Sequence, residues 1–185
     1  MTARLIPLLL LPAMALAQDQ QAPSMEASNG RQPGFFNALG SERPAGAQTE
    51  ITANKEASFD SESNVAEFVG RVVVKDPQFT LNCDRLKVIL SKDRKGIDTA
   101  EATGNVIIVQ EKTDATSPKA IGRAGEVTYK PSAGEVVLRG WPSIQQGINN
   151  QVATEASTVM VLRSNGQSRT IGGSKTVIAD TAKQP

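Results

Sequence analysis

The sequence has no histidine and a single cysteine, Cys83. Without imidazole, histidine bases, histidine-dependent triads and histidine metal ligands are excluded. One thiol cannot close an internal disulfide or build a thiolate zinc site. "GQSRTIGGSK" (166–175) lacks the spacing of a phosphate-binding loop and lies among strand-like segments. Aromatic residues make up only 4% of the chain, too few for a base-stacking platform, and 20 basic residues face 19 acidic ones with no basic run. The chain therefore does not read as a nucleic-acid binder. The acidic stretch Asp60-Ser61-Glu62 reads as a solvated turn. Neither a metal nor a cofactor is expected, and nothing marks an enzyme.

Long hydrophobic runs are lacking as well, except at the start. "MTARLIPLLLLPAMALA" (1–17) has a positive flank at Arg4, an apolar run from Leu5 to Leu11, and Ala15-Leu16-Ala17 as a small-x-small cleavage site. That run is well short of the roughly 20 residues that span a bilayer. It reads as a secretory signal cleaved near Ala17, and no cysteine follows it to take a lipid anchor. In an oxidising compartment a lone thiol is best tolerated when buried, so Cys83 is expected to face the interior.

Residues 18–49 are rich in Gln, Ala, Pro, Gly and Ser without a sustained period, and read as a flexible leader whose docking point would be Phe35, Phe36 and Leu39. From residue 50 to 179 the character changes, and residues 180–185 form a short tail. Runs of Val, Ile, Thr and Leu alternate with polar residues between turn signals such as "DSESN" (60–64), "KDRKG" (92–96) and "KPSAG" (130–134). No stretch holds a helical period with caps. The fold class is all-β.

Within that region a unit recurs. "EFVGRVVVKD" (67–76), "EATGNVIIVQ" (101–110) and "VVLRGWPSIQ" (136–145) each place a glycine in the middle of a strand. Around Gly70, Gly104 and Gly140 the alternate residues form apolar rows: Ala66, Phe68, Val72, Val74; then Ala100, Ala102, Val106, Ile108; then Val136, Leu138, Pro142, Ile144. A second strand type follows each first. "FTLNCDRLKVIL" (79–90), "AIGRAGEVTY" (120–129) and "QVATEASTVMV" (151–161) alternate, slip at Asp84-Arg85, Gly125-Glu126 and Glu155-Ala156, and resume. Such slips are what β-bulges produce, and glycine inside a strand permits a sharp bend or a close backbone approach. Repeated at one level, these features would crease a stack of antiparallel strands into a V-shaped sheet with an apolar inside. An ordinary sandwich in which the glycines only relieve crowding is the alternative.

The units "FVGRVVV", "LNCDRLKVIL", "ATGNVIIV" and "GRAGEVTYKPSAGEVVLRG" resemble the LptA/OstA family of lipopolysaccharide transport proteins over roughly residues 50–179. The resemblance implies an open β-jellyroll. It departs at "GWPSIQ", where Trp141 and Pro142 replace polar and aliphatic residues, so that strand is expected to end early or lie at an edge. Of the roles filled by relatives with this domain, the exported bridge between two membranes fits a cleaved signal followed by one such domain. The implied localisation is the periplasm and the implied ligand is lipopolysaccharide, held by its lipid A acyl chains. Implied partners are membrane-anchored and outer-membrane relatives with the same jellyroll, together with other copies joined end to end.

The inward rows nominate a lipid-binding groove: Phe68, Val72, Val74, Phe79, Leu81, Cys83, Leu86 and Val88 from the first strands, then Val106, Ile108, Val127 and Tyr129, then Leu138, Ile144, Val152 and Val159. Ile51 and Ala53 at one end, with Thr176, Val177 and Ile178 at the other, are expected to form unblunted edges for assembly, with Val177 as a free backbone donor. A non-catalytic scaffold or adhesive β-module with a fully packed interior stays open, and the small residues Ala66, Ala100, Ala102, Ala120 and Ala124 fit it.

Overall fold

The computed structural model describes residues 48–94, 96–110, 119–164 and 167–179. The signal, nearly all of the leader and the tail lie outside these residues. Among the described residues twelve strands form one antiparallel sheet, an open β-jellyroll. Four strands are long: β3 (Val65–Lys75), β4 (Phe79–Leu90), β5 (Ile97–Gln110) and β6 (Ala120–Lys130). The rest come in pairs that are halves of one traverse interrupted at the crease. These are β1 (Glu50–Thr52) with β2 (Glu56–Asp60), β7 (Glu135–Arg139) with β8 (Ser143–Gln146), β9 (Asn149–Ala153) with β10 (Val159–Arg163), and β11 (Ser168–Ile171) with β12 (Ser174–Val177).

Pairing then divides the sheet into two limbs. One carries β2, the matching halves of β3 to β6, then β7, β10 and β11; the other carries β1, the remaining halves of β3 to β6, then β8, β9 and β12. Each traverse runs down one limb, turns through the crease and continues down the other. The apolar rows meet strand to strand: Phe68, Leu86, Ala102, Val127, Leu138 and Met160 are successive partners on one limb. Val74, Leu81, Ile108, Gly122 and Ile144 are successive partners on the other. The buried residues of both limbs form one hydrophobic cluster.

The mid-strand glycines make the crease, by a different division of labour from the one expected. Between Val69–Arg85 and Val72–Cys83 the register shifts, so that Gly70 and Arg71 together oppose Asp84 alone. Gly104 and Asn105 likewise oppose Asp84 on one side and Gly125 on the other. The extra residue thus sits in the glycine strands, and Asp84 and Gly125 are the short side of each bulge. Three Gly-X pairs have two consecutive positive φ values: Gly70 86° and Arg71 40°, Gly104 78° and Asn105 48°, Gly140 70° and Trp141 59°. Two left-handed residues in succession reverse the pleat and restore the same inward face two positions later. That conformation is open to glycine at little cost and strains most other residues. The second reason for glycine is space. A Cβ on Gly140 would stand 3.2 Å from Gly125 Cα, and one on Gly104 would overlap the Asp84 carboxylate, which accepts a 2.7 Å hydrogen bond from Asn105 Nδ2.

Past the crease at Gly140-Trp141, the traverse resumes as β8 with Pro142 fully buried, so it does not end at the departure from the family pattern. The expected register of the following traverse is corrected. Ile144 is buried and pairs with Gln151, so Gln151 shares the inward face and Val152 points out. Met160 and Leu162 are completely buried and pair with Leu138 and Val136, which turns Val159 outward as well. The last traverse inverts the pattern. Its inward positions are Ser168, Thr170 and Ser174, opposite the buried Leu162, Met160 and Ala153, and Thr176, opposite the half-buried Gln151, while Arg169, Ile171, Lys175 and Val177 face out.

Candidate functional site

An apolar cleft of about 390 Å³ opens between the limbs over the first half of the stack. Val74, Phe79, Leu81 and Ile108 form one wall; Leu86, Val88, Ala100, Ala102, Val127, Tyr129 and Val136 form the other. Ile51 closes the side nearest the chain's entry into β1. Polar side chains reach the cleft only where the limbs end. There the Thr49 hydroxyl donates to Asp76 Oδ2 at 2.6 Å and the Gln78 backbone N–H donates to Oδ1 at 3.0 Å. Reciprocal backbone bonds between Asp76 and Phe79 fix this lip. The opposite lip is Gly96, Ile97 and Pro131. No buried side-chain polar atom among the described residues lacks a hydrogen-bond partner. The cleft walls therefore present carbon and carry no charge poised for chemistry. They can exclude water from an apolar ligand.

Eight of the nominated residues line this cleft: Val74, Phe79, Leu81, Leu86, Val88, Ile108, Val127 and Tyr129. Val72, Cys83 and Val106 are buried deeper, beside the crease, and Phe68 packs against the same cluster. Leu138 and Ile144 belong to the closely packed second half of the interior, and Val152 and Val159 lie on the outside. Ala100, Ala102 and Val136 were placed in the inward rows but not in the groove. Ile97 was missed. It faces inward because the register shifts between Ile89–Thr99 and Leu90–Ile97, leaving Asp98 as an extra, exposed residue. A bulge at a strand end leaves no glycine to announce it. Ile51 was assigned to the edge, and it serves the cleft as well.

Cys83 is buried on the inner face, in the row of Leu81. Burial first, and the neighbouring Asp84 carboxylate second, push its thiol up to about 11 from an ordinary 9.0. A maleimide or disulfide reagent at pH 8 is expected to label it slowly in the native protein and at the ordinary rate in denaturant. The raised value in the folded state means that its contribution to stability is complete below pH 9 and is lost as pH rises toward 11. Fast native labelling at pH 8 would show that the strand register is wrong by one residue.

Among the described residues no group of acidic or thiol side chains could hold a metal ion, and no helix is long and apolar enough to cross a membrane. No curated protein matches the chain. Among solved structures, the fold is similar to the crystal structure of LptH, the LptA homologous periplasmic component of the lipopolysaccharide transport device of Pseudomonas aeruginosa. The identity is 18% and the TM-score 0.60, with 72% of this chain and 96% of that chain covered. The family model described as "LptA/(LptD N-terminal domain) LPS transport protein" matches residues 50–167, well over half of the chain. With creased traverses and an open apolar cleft in that same span, the chain belongs to this non-enzymatic family of lipopolysaccharide transport proteins.

Proposed function

We propose that the cleft holds fatty acyl chains of lipopolysaccharide, by its lipid A, and that the protein carries them across the periplasm from the inner to the outer membrane. The observation that carries this reading is the cleft itself, which has continuous carbon walls from both limbs and polar groups only at its lips. A chain of about a dozen methylenes gains on the order of 10 kcal/mol on leaving water, at ~0.8 kcal/mol each, so an acyl carrier needs such a trough. Moving that chain into an equivalent neighbouring trough costs little, so the protein conducts lipid while direction comes from partners that supply energy. Those partners are membrane-anchored and outer-membrane relatives of the same fold, reached through the free sheet edges at β1–β2 and β11–β12.

The reading is tested by extracting the protein, purified after export, with organic solvent and analysing the extract by mass spectrometry. Stoichiometric hydroxylated and saturated acyl chains are expected. A clean extract from a strain rich in lipopolysaccharide, with no capture on later exposure to lipid A, sinks it. The packed-scaffold reading would then take its place, supported by the filled second half of the interior around Leu138, Met160 and Leu162.

A further inference from the structure

We propose that the apolar segment "FFNAL" (35–39), upstream of the domain, docks in the cleft between the limbs and plugs it until lipid displaces it. The contact needs only the cleft; the displacement rests on the acyl-carrier reading above. The segment lies outside the described residues and precedes the span that the family model matches. The point where its chain joins the domain is fixed. Thr49 is held at the lip by the bond from its hydroxyl to Asp76, and Thr49 and Ile51 both line the cleft, so the chain arrives at the cleft mouth. Leu39 is ten positions from Thr49, a tether that extends to roughly 33 Å. On β3 one limb runs from Val65 to Val69, roughly 17 Å, so the whole cleft is within reach.

Composition singles out what docks. With Met25, the residues Phe35, Phe36 and Leu39 are the only large apolar side chains from Gln18 to Gln48, and the tether "GSERPAGAQ" (40–48) has none. An apolar cavity of about 150 Å³ takes one benzene ring. The cleft, at about 390 Å³, therefore has room for both phenylalanine rings, and Phe79 and Tyr129 in its walls offer them aromatic partners. The inner face is also bare at this end of the stack. Phe59 of the edge strand β2 pairs with Ala66 and so has inward parity, yet it is 53% exposed. Exposed apolar surface of this kind marks a place that something covers. The chain's own segment is favoured over that of a second copy, because a short tether holds it at an effective concentration in the millimolar range.

Two measurements test this on the protein purified after export and freed of lipid by unfolding and refolding. In the first, Phe36→p-benzoylphenylalanine is irradiated at low micromolar concentration and the crosslinked peptides are identified by mass spectrometry. Attachment within one chain to cleft residues such as Val88, Ala100 or Tyr129 is expected, and none from Met25→p-benzoylphenylalanine. In the second, a fluorescent dodecanoyl probe is titrated into the wild type and into Phe35→Ser/Phe36→Ser/Leu39→Ser. With the unplugged form at about a tenth of the wild-type population, the triple variant should bind the probe about tenfold more tightly, and Met25→Ser should bind it as the wild type does. Every substituted position precedes the described strands, so the stack keeps its own sequence. Measurable but equal affinities, or no crosslink inside the cleft, overturn the proposal. Crosslinks between chains overturn it in favour of a second copy. Crosslinks inside the cleft with no probe binding by any of the proteins uphold the docked segment, and the acyl reading falls instead.

Discussion

Replacing Ala100 with aspartate is expected to lower acyl-chain capture about a hundredfold. Ala100 is half-buried in the cleft wall, between Val88 and Tyr129 in register. A carboxylate there keeps its water, and a chain that lies past it loses contact over roughly four methylenes. At ~0.8 kcal/mol each this amounts to about 3 kcal/mol. The same side chain supplies its own control. Protonation removes the charge, so capture by the variant should recover as pH falls through its raised pKa, while the wild type stays flat. Alanine at a half-buried position can take the larger side chain toward the opening, so folding should survive, to be checked by thermal unfolding. Lys75→Glu, on the exposed outer face of β3, should leave capture unchanged. Full capture by a well-folded Ala100→Asp protein at neutral pH rules out the cleft as the acyl site.

End-to-end association should appear as concentration is raised, and Thr176→Pro should weaken it at least tenfold. Successive residues of an edge strand point their backbone groups alternately into the sheet and away from it. The Thr154 N–H donates to Gly173 O at 2.9 Å, which turns Gly173, Lys175 and Val177 toward β9 and leaves Ser174 and Thr176 facing the open side. Val177, expected from sequence to be the free donor, thus bonds within its own sheet. On the first traverse Asn54 donates to Gly70 O at 2.8 Å, so alternation turns the backbone groups of Ile51 and Ala53 to the open side while their side chains pack on the core. Proline at Thr176 removes one outward donor and sets its ring against an incoming strand. Proline at Val177 should instead loosen β12 and lower stability. Sedimentation velocity separates the cases. A wild type that remains monomeric into high micromolar concentrations, alone and with a membrane-anchored relative, eliminates edge pairing.

Periodicity made the strands, their inward rows and the crease level legible. From Phe68 to Val127 each segment has one strongly apolar parity, Val72 and Val74 against Arg71 and Lys75 for example, and only one register buries it. The glycines were readable for the same reason, since few other residues accept the φ values found at Gly70 and Gly104. Most of the carbon walls of the candidate cleft follow directly from those rows.

Where both parities of a strand are apolar, sequence by itself could not choose. In "QVATEASTVMVL" (151–162), Val152, Val159 and Val161 compete with Ala153, Met160 and Leu162, and alternation fits either set. The tertiary structure decided through pairing, because Leu138 and Ile144 were already inward and their partners Met160 and Gln151 had to follow. It also decided where the inside stays open, since an open cleft depends on how far apart the limbs stand, which no local pattern encodes. Which backbone groups face a free edge was settled the same way. The sequence determined that this chain is a creased β-stack of the lipopolysaccharide transport family; strand pairing across the crease determined which of its apolar residues line a cleft, which fill a core and which face outward.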